Sequence, residues 1–286
     1  MVSGGARFCR AVDGYLSMSI DVAINGAAGR MGRMLTQAID DEKDLSLVVA
    51  LERSDSEFLG QDVGLVAGIG AIGVPVVTNS DGSTFDVLVD FSIPAATLGL
   101  LDTGVADSFG MVIGTTGFDA SGLHDIEVAA GSIPIVMAPN MSVGVNVVFR
   151  LIETAAEILG DSVDIEIYEM HHRHKIDAPS GTAVRMGEIV ATTRGRDLEK
   201  DAIYGRVGDT GERAQPTIGF HSARGGDVVG EHTVTFSGTG ERIEITHRAQ
   251  SRSNFAAGAI RAVRFVAKKM AMKERGLFGM ENVLGL

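Results

Sequence analysis

Between Glu169 and Ala183 the chain reads Glu-Met-His-His-Arg-His-Lys-Ile-Asp-Ala-Pro-Ser-Gly-Thr-Ala. Three histidines, an arginine and a lysine fall within five consecutive residues, in a chain whose formal net charge is −12. Imidazoles titrate near neutrality and an ammonium group carries a transferable proton, so His171, His172 and Lys175 offer acid–base chemistry beside anion partners. Ser180-Gly181-Thr182 follows Pro179 and reads as a helix start with Ser180 as its N-cap. Its hydroxyls and unpaired N–H groups suit a carboxylate. Two rival readings are a solvated basic turn and a metal site. Histidines at i and i+2 share a strand face, but no cysteine or distant ligand pattern completes a zinc set. The expectation is an anion-binding acid–base site without a metal.

A second group lies near the start of the chain. The apolar run Ile20–Asn25 leads into Gly26-Ala27-Ala28-Gly29-Arg30-Met31-Gly32, which opens a helix. Glycines permit a tight turn and close backbone approach, and helix N–H groups can hold a pyrophosphate. The spacing is G-x-x-G-x-x-G, with Ala28 where the common dinucleotide fingerprint has glycine. By itself the motif is equally a structural turn. The next strand, however, ends in Glu52-Arg53, where a carboxylate would take adenosine ribose hydroxyls and a guanidinium would pair with a 2′-phosphate. Both NADH and NADPH are therefore expected as cofactors. Gly114-Thr115-Thr116-Gly117 and Ala138-Pro139-Asn140-Met141 follow two further strand candidates, the place where open α/β sheets bind ligands.

These groups need a scaffold, and the periodicity supplies one. Ile20–Asn25, Leu45–Leu51, Val87–Phe91, Met111–Ile113 and Ile133–Ala138 read as strands. Gly29–Ile39, Ala95–Val105 and Asp119–Ala129 read as helices between them. That rhythm predicts an α/β chain that begins with a Rossmann domain, a doubly wound parallel sheet. A helix over Val143–Leu159 follows. Val163–Glu169, Thr217–Ala223, Val228–Ser237 and Arg242–Ala249 then alternate apolar and polar residues, with Gly238-Thr239-Gly240 as a hairpin turn. They predict a second α+β domain on a mainly antiparallel or mixed sheet, with helices from Ser180 to Thr193 and over Asn254–Met270. The expected division is 1–142 for dinucleotide binding, 143–252 for substrate binding and oligomerisation, and 253–286 returning to the first domain.

Composition narrows the function. At 286 residues and 45% hydrophobic the chain can bury an ordinary core. Its acidity argues against nucleic-acid or anionic-membrane partners. Cys9 is the single cysteine, so no intrachain disulfide forms and a reducing cytoplasm is the expected setting. No signal peptide or bilayer-length apolar run is visible. Residues 1–17, which precede Met18, read as a disordered extension.

The motifs occur in an order that carries more than any one of them. Gly-Arg-Met-Gly at 29–32, Val-Ile-Gly-Thr-Thr-Gly-Phe at 112–118, Asn-Met-Ser-Val-Gly-Val-Asn at 140–146, His-His-Arg-His-Lys at 171–175 and Asp-Ala-Pro-Ser-Gly-Thr-Ala at 177–183 are followed by Gly-Glu-Arg-Ile-Glu-Ile-Thr-His at 240–247 and Phe-Ala-Ala-Gly-Ala at 255–259. From about Ile20 onward the chain resembles the 4-hydroxy-tetrahydrodipicolinate (dihydrodipicolinate) reductase family. The resemblance implies NAD(P)H-dependent reduction of a small cyclic dicarboxylate, with loss of water, in the diaminopimelate route of lysine biosynthesis. It further implies that His171 is a proton donor or acceptor, Lys175 a proton donor, and His172 a substrate-binding histidine beside the carboxylate-binding turn of Ser180, Gly181 and Thr182. Cofactor contacts would fall on Gly26, Ala27, Ala28, Gly29, Arg30, Met31, Glu52, Arg53, Gly114, Thr115, Thr116, Ala138, Pro139, Asn140 and Met141. Family members are usually homotetramers built on the second domain's sheet. The chain departs from the pattern at Ile93, where some members have arginine, and at Pro139, where alanine is frequent. Another two-domain amino-acid dehydrogenase would share the first domain, and a nicotinamide-sensing binding protein would need no proton-handling cluster.

Overall fold

A computed structural model describes residues 19–80 and 82–286. The expected extension over residues 1–17, with Cys9, lies outside the described residues. The chain divides into two compact units, one holding residues 19–139 with Ala256–Gly285 and the other Asn140–Phe255.

In chain order the first unit contains β1 (Ile20–Asn25), α1 (Arg30–Asp40), β2 (Leu45–Leu51), α2 (Val63–Ala67), β3 (Val76–Val77), β4 (Val87–Asp90), α3 (Pro94–Leu98), α4 (Leu101–Asp107), β5 (Gly110–Ile113), α5 (Ala120–Ala130) and β6 (Pro134–Met137). The sheet has seven strands in the order Gly276–Phe278, β6, β5, β4, β1, β2, β3. Every pairing is parallel, as expected for a doubly wound fold. Strands covered on both faces read as unbroken apolar runs, and β4 and β5 are buried at every position. Ala23, Leu88, Met111, Ile113 and Ile135 meet Ile126 from α5 in the core. The helix expected over Ala95–Val105 is two helices, because the chain leaves helical pairing at Gly99–Leu100, where Leu100 N–H bonds Thr97 O three residues back. Glycine is a weak helix former, and the break falls beside it.

The second unit contains α6 (Val143–Leu159), β7 (Asp164–His171), α7 (Gly181–Thr193), α8 (Leu198–Asp201), β8 (Ala202–Tyr204), β9 (Ile218–Arg224), β10 (Gly230–Ser237) and β11 (Arg242–Ala249). Its five strands run in the order β11, β10, β7, β9, β8. Only β10 pairs antiparallel, with β11 and β7, whereas β9 lies parallel to both β7 and β8. The sheet is therefore mixed, one of the two forms expected. A helical crossover such as α7 returns the chain in the direction it left, which makes the β7–β9 pair parallel.

On β7 the buried positions alternate as Ile165, Ile167, Glu169 and His171, so the last two residues of an apolar stripe are a carboxylate and an imidazole. The neighbouring positions point the other way. There Glu166 accepts from Arg206 at 3.0 Å and Arg213 at 3.1 Å, and meets His221 Nε2 at 2.7 Å.

The chain then enters α9 (Ser253–Ala271), β12 (Gly276–Phe278) and α10 (Met280–Leu284). Ala259, Val263 and Val266 of α9 have no exposed surface. A side chain at Gly110 of β5 would run into Val266, and Arg264 reaches Asp44 and Glu42 at 2.7 Å. Among the described residues no helix is long and apolar enough to cross a membrane.

Candidate active site

In the first unit the turn after β1 is set by Gly26, whose φ of +77° is open to glycine and strained for other residues. The N–H groups of Gly26 and Ala27 both bond Leu51 O at 3.0 Å, which holds the turn against the end of β2. α1 starts beyond Gly29 without a side-chain cap, leaving its first N–H groups to a ligand. A Cβ on Gly32 would lie 2.5 Å from Ala27 O and closer still to Gly26 O, so the helix touches the turn at a point only glycine allows. Glu52 ends β2 with Oε2 accepting the Ala28 N–H at 2.9 Å and Oε1 accepting the Arg53 N–H at 3.2 Å. The Arg53 side chain stands in solvent, 3.1 Å from Asp55.

A groove of about 640 Å³ runs past these groups, lined by Gly26, Ala28, Gly29, Glu52, Arg53, Ser92 and Ile93 among others. Its floor is tied by Asp90, which is wholly buried. Asp90 Oδ1 accepts from Ser92 Oγ at 2.6 Å and Thr115 Oγ1 at 3.1 Å, and Oδ2 accepts from Asn25 at 3.2 Å. One carboxylate thus joins the ends of β1, β4 and β5. Thr115 is consequently 4% exposed with its hydroxyl taken, whereas Thr116 is exposed, and Arg30 and Pro139 are also exposed. The side chains of Ala27, Ala138 and Met141 are buried, and Met31 and Gly114 are intermediate. An uncapped glycine turn, a carboxylate at the end of β2 and a groove of this size fit a dinucleotide.

In the second unit His171 and Glu169 sit at the end of β7, with Nδ1 of the imidazole 2.6 Å from Oε2 of the carboxylate. Arg224 of β9 donates to the same oxygen at 2.8 Å, and the Ser180 N–H donates to Oε1 at 3.3 Å. Burial raises the proton affinity of Glu169, but hydrogen bonds from Arg224, Ser222 and His171 outweigh it and hold the carboxyl below its ordinary range. Burial pushes the His171 imidazole down, against the pull of Glu169. Ser180 caps α7 by accepting the Ala183 N–H at 3.2 Å, and its hydroxyl lies 2.8 Å from His232 Nε2. His232 packs edge-on to His171 at 5.0 Å, and burial first, then the nearby His171, lowers its pKa to about 3.

The loop between β7 and α7 carries Lys175, whose ammonium donates to both oxygens of Asp177 at 2.7 and 2.8 Å. That bond holds the Asp177 carboxyl below its usual range. Arg224 fastens the loop by donating to the carbonyls of Lys175 and Asp177. His172 is half-buried beside His174, with ring centroids 6.2 Å apart. Thr182 Oγ1 accepts from Asn140 Nδ2 at 3.2 Å, so Asn140 stands beside the α7 turn within this unit. The structure thus gathers His171, His172, Lys175, Ser180, Gly181 and Thr182 around the end of β7 and the start of α7. Sequence reasoning gave no role to Glu169, Arg224, His232 or Asp90. Strand alternation places Glu169 on the face of His171 and was the one available signal; Arg224 and His232 arrive from other strands.

The dihydrodipicolinate reductase family matches the chain along nearly its whole described length, the family's N-terminal part over residues 20–141 and its C-terminal part over residues 144–284. The 4-hydroxy-tetrahydrodipicolinate reductase of Alkalilimnicola ehrlichii is 53% identical over 271 residues, covering 94% of this chain and all of the relative. That of Nitrosomonas eutropha is 54% identical over 273 residues, covering 93% and 98%. The solved dipicolinate-bound dihydrodipicolinate reductase of Paenisporosarcina sp. TG-14 superposes with a TM-score of 0.71 at 26% identity, over 93% of this chain and 99% of that one. An NAD complex of GenD2 from gentamicin A biosynthesis, 15% identical with a TM-score of 0.58 over 99% of this chain and 93% of its own, shares the fold alone. With its parallel sheet, glycine turn and histidine–lysine loop in the family's order, the chain belongs to the dihydrodipicolinate reductase family of NAD(P)H-dependent oxidoreductases.

Proposed function

We propose that the chain reduces 4-hydroxy-tetrahydrodipicolinate to tetrahydrodipicolinate with loss of water, as a step of the diaminopimelate route to lysine in the cytoplasm. The observation that carries this reading is that the buried Glu169 ties His171 to the α7 start at Ser180, while Arg224, bonded to the same carboxylate, holds the loop that carries Lys175. The unit up to about residue 142 binds the dinucleotide, the 143–252 region binds substrate, and 253–286 completes the first unit.

Gly26 to Met31 and the start of α1 hold the pyrophosphate. Glu52 takes the ribose hydroxyls, and Gly114 to Thr116 with Ala138 to Met141 border the nicotinamide. Because the buried side chains of Thr115, Ala138 and Met141 point inward, these residues act through their backbone. When bound, the reduced nicotinamide supplies a hydride.

The protein's own groups manage charge and protons. The α7 N-terminus at Gly181 and Thr182 binds one substrate carboxylate, and His172 binds the substrate beside it. The Ser180 hydroxyl is occupied by the Ala183 N–H and His232, so its contribution is the shape of the turn. Lys175 leaves Asp177 for the substrate and donates the proton that quenches the reduced ring, with His171 relaying it. Glu52 suits NADH and Arg53 suits the 2′-phosphate of NADPH, so both serve. The second unit's sheet forms a homotetramer, checked by sedimentation of the full chain.

The test is absorbance loss at the reduced-nicotinamide band, with substrate supplied by a coupled synthase and NADH and NADPH offered in parallel. Oxidation of both with comparable efficiency supports the reading. Cofactor binding without oxidation would replace it with a sensor or another dehydrogenase.

A further inference from the structure

Glu169 and His171 lie on one face of β7 and are 3% and 8% exposed. The carboxylate is surrounded by donors: Arg224 from β9 at 2.8 Å, the Ser180 N–H from the start of α7 at 3.3 Å, and His171 Nδ1 at 2.6 Å. A carboxylate held ionised by a guanidinium only accepts hydrogen bonds, so the imidazole nitrogen facing it must carry a hydrogen. A neutral imidazole has one N–H, which leaves Nε2 bare. Gly230 of β10 lies against that second nitrogen, and a Cβ there would come within 2.9 Å of it.

We infer that Glu169 is a positioning residue that fixes His171 as its Nδ1–H tautomer with Nε2 as a proton acceptor, and that Gly230 keeps that nitrogen accessible. The inference rests on the proposed proton-handling role of His171. It assigns the direction of transfer: in the resting protein His171 takes up a proton and Lys175 gives one. Burial opposes protonation of His171; of the charged and titratable groups facing it, Glu169 favours protonation, Lys175 from the loop and Arg224 from β9 oppose it, and His232 from β10 is itself buried and neutral. An orienting carboxylate that sets a histidine tautomer can be worth orders of magnitude in turnover even though it touches no substrate.

The test is side-chain ¹⁵N NMR of the full chain at neutral pH, with the His171 signal identified by its loss in His171→Asn. The wild type should show a protonated Nδ1 and a bare Nε2. In Glu169→Gln one amide oxygen must serve three donors, so the population should move toward the Nε2–H tautomer while turnover falls by about 100-fold. A wild-type Nε2–H tautomer or imidazolium, or an unchanged tautomer in Glu169→Gln, overturns the inference. Gly230→Ala provides a variant that leaves Glu169 intact. It should keep the Nδ1–H tautomer and NADH affinity yet lose turnover at least tenfold, and full turnover would refute the accessibility role of Gly230. If the tautomer shifts in Glu169→Gln while turnover holds, the positioning stands and the proton-handling role of His171 falls.

Discussion

Replacing Gly32 with alanine probes the cofactor turn at its least forgiving point. The added Cβ would lie 2.5 Å from Ala27 O and 2.6 Å from Ala27 C, where ordinary contact begins at 3.4 Å. Both atoms are backbone, and their turn is pinned by the bonds of Gly26 and Ala27 to Leu51 O. Neither side can yield locally, and Gly26 O lies nearer still, so α1 must retreat by roughly 1 Å, carrying its N–H groups away from the ligand. Overpacking of this kind costs about 1–3 kcal/mol. If the loss falls on the ligand-competent turn, NADH affinity drops about 5- to 150-fold. Gly29→Ala is the matched control: its Cβ meets only Gly26 O, at 3.1 Å, and it should weaken binding far less. Titration calorimetry of NADH with the full chain, beside thermal unfolding, reads both terms. Gly32→Ala binding NADH within about twofold of wild type would refute the close-approach argument.

Other perturbations probe the remaining groups. Lys175→Ala should depress turnover by about 100-fold or more while leaving NADH affinity intact, checked by steady-state kinetics beside direct binding. Arg53→Ala should lower kcat/KM with NADPH by about tenfold and leave NADH nearly unchanged, since only the former has a 2′-phosphate to pair. Glu166 gives a pH prediction. Burial raises its pKa, but Arg206, His221 and Arg213 carry it from 4.5 down to about 2. A carboxyl depressed in the folded state adds stability that is present above its unfolded pKa and is lost as pH falls through the folded one. Wild-type urea midpoints should therefore fall between pH 4.5 and 2, and Glu166→Gln should flatten that limb. Parallel curves would sink the assignment.

Legibility in the sequence followed the length and burial of each element. Ile20–Asn25, Leu45–Leu51, Val143–Leu159 and Arg242–Ala249 have the bounds their patterns predict: the first two are largely apolar runs, Val143–Leu159 buries Val145, Val148, Ile152 and Ala156 on one face, and Arg242–Ala249 alternates exposed with half-buried residues from Glu244 onward. The short β3, β8 and β12, and the short α2, α8 and α10, are too brief to show a period; α2 is fixed instead by Asp62, which accepts the N–H groups of Gly64, Leu65, Ile72 and Gly73. The direction of the β7–β9 pair was not legible, because alternation reports which face is wet and says nothing of strand direction. The histidine–lysine loop was legible since its groups are contiguous. Its supports were not: Arg224 lies 49 residues from the carbonyl it holds at Lys175, and His232 lies 52 residues from Ser180. No local spacing rule spans such gaps.

The first unit is interrupted in sequence by the second, and this shapes how the chain acquires its structure during synthesis. β1 to β6 emerge from the ribosome before the residues that finish their core. Val266, seated on Gly110, and the edge strand β12 beside β6 arrive only after all of Asn140–Phe255. The second unit draws its elements from one continuous stretch and can fold as it appears. Until α9 and β12 emerge, the nascent dinucleotide sheet therefore carries an uncovered apolar patch at β5 and an open edge at β6, the kind of surface that chaperones shield.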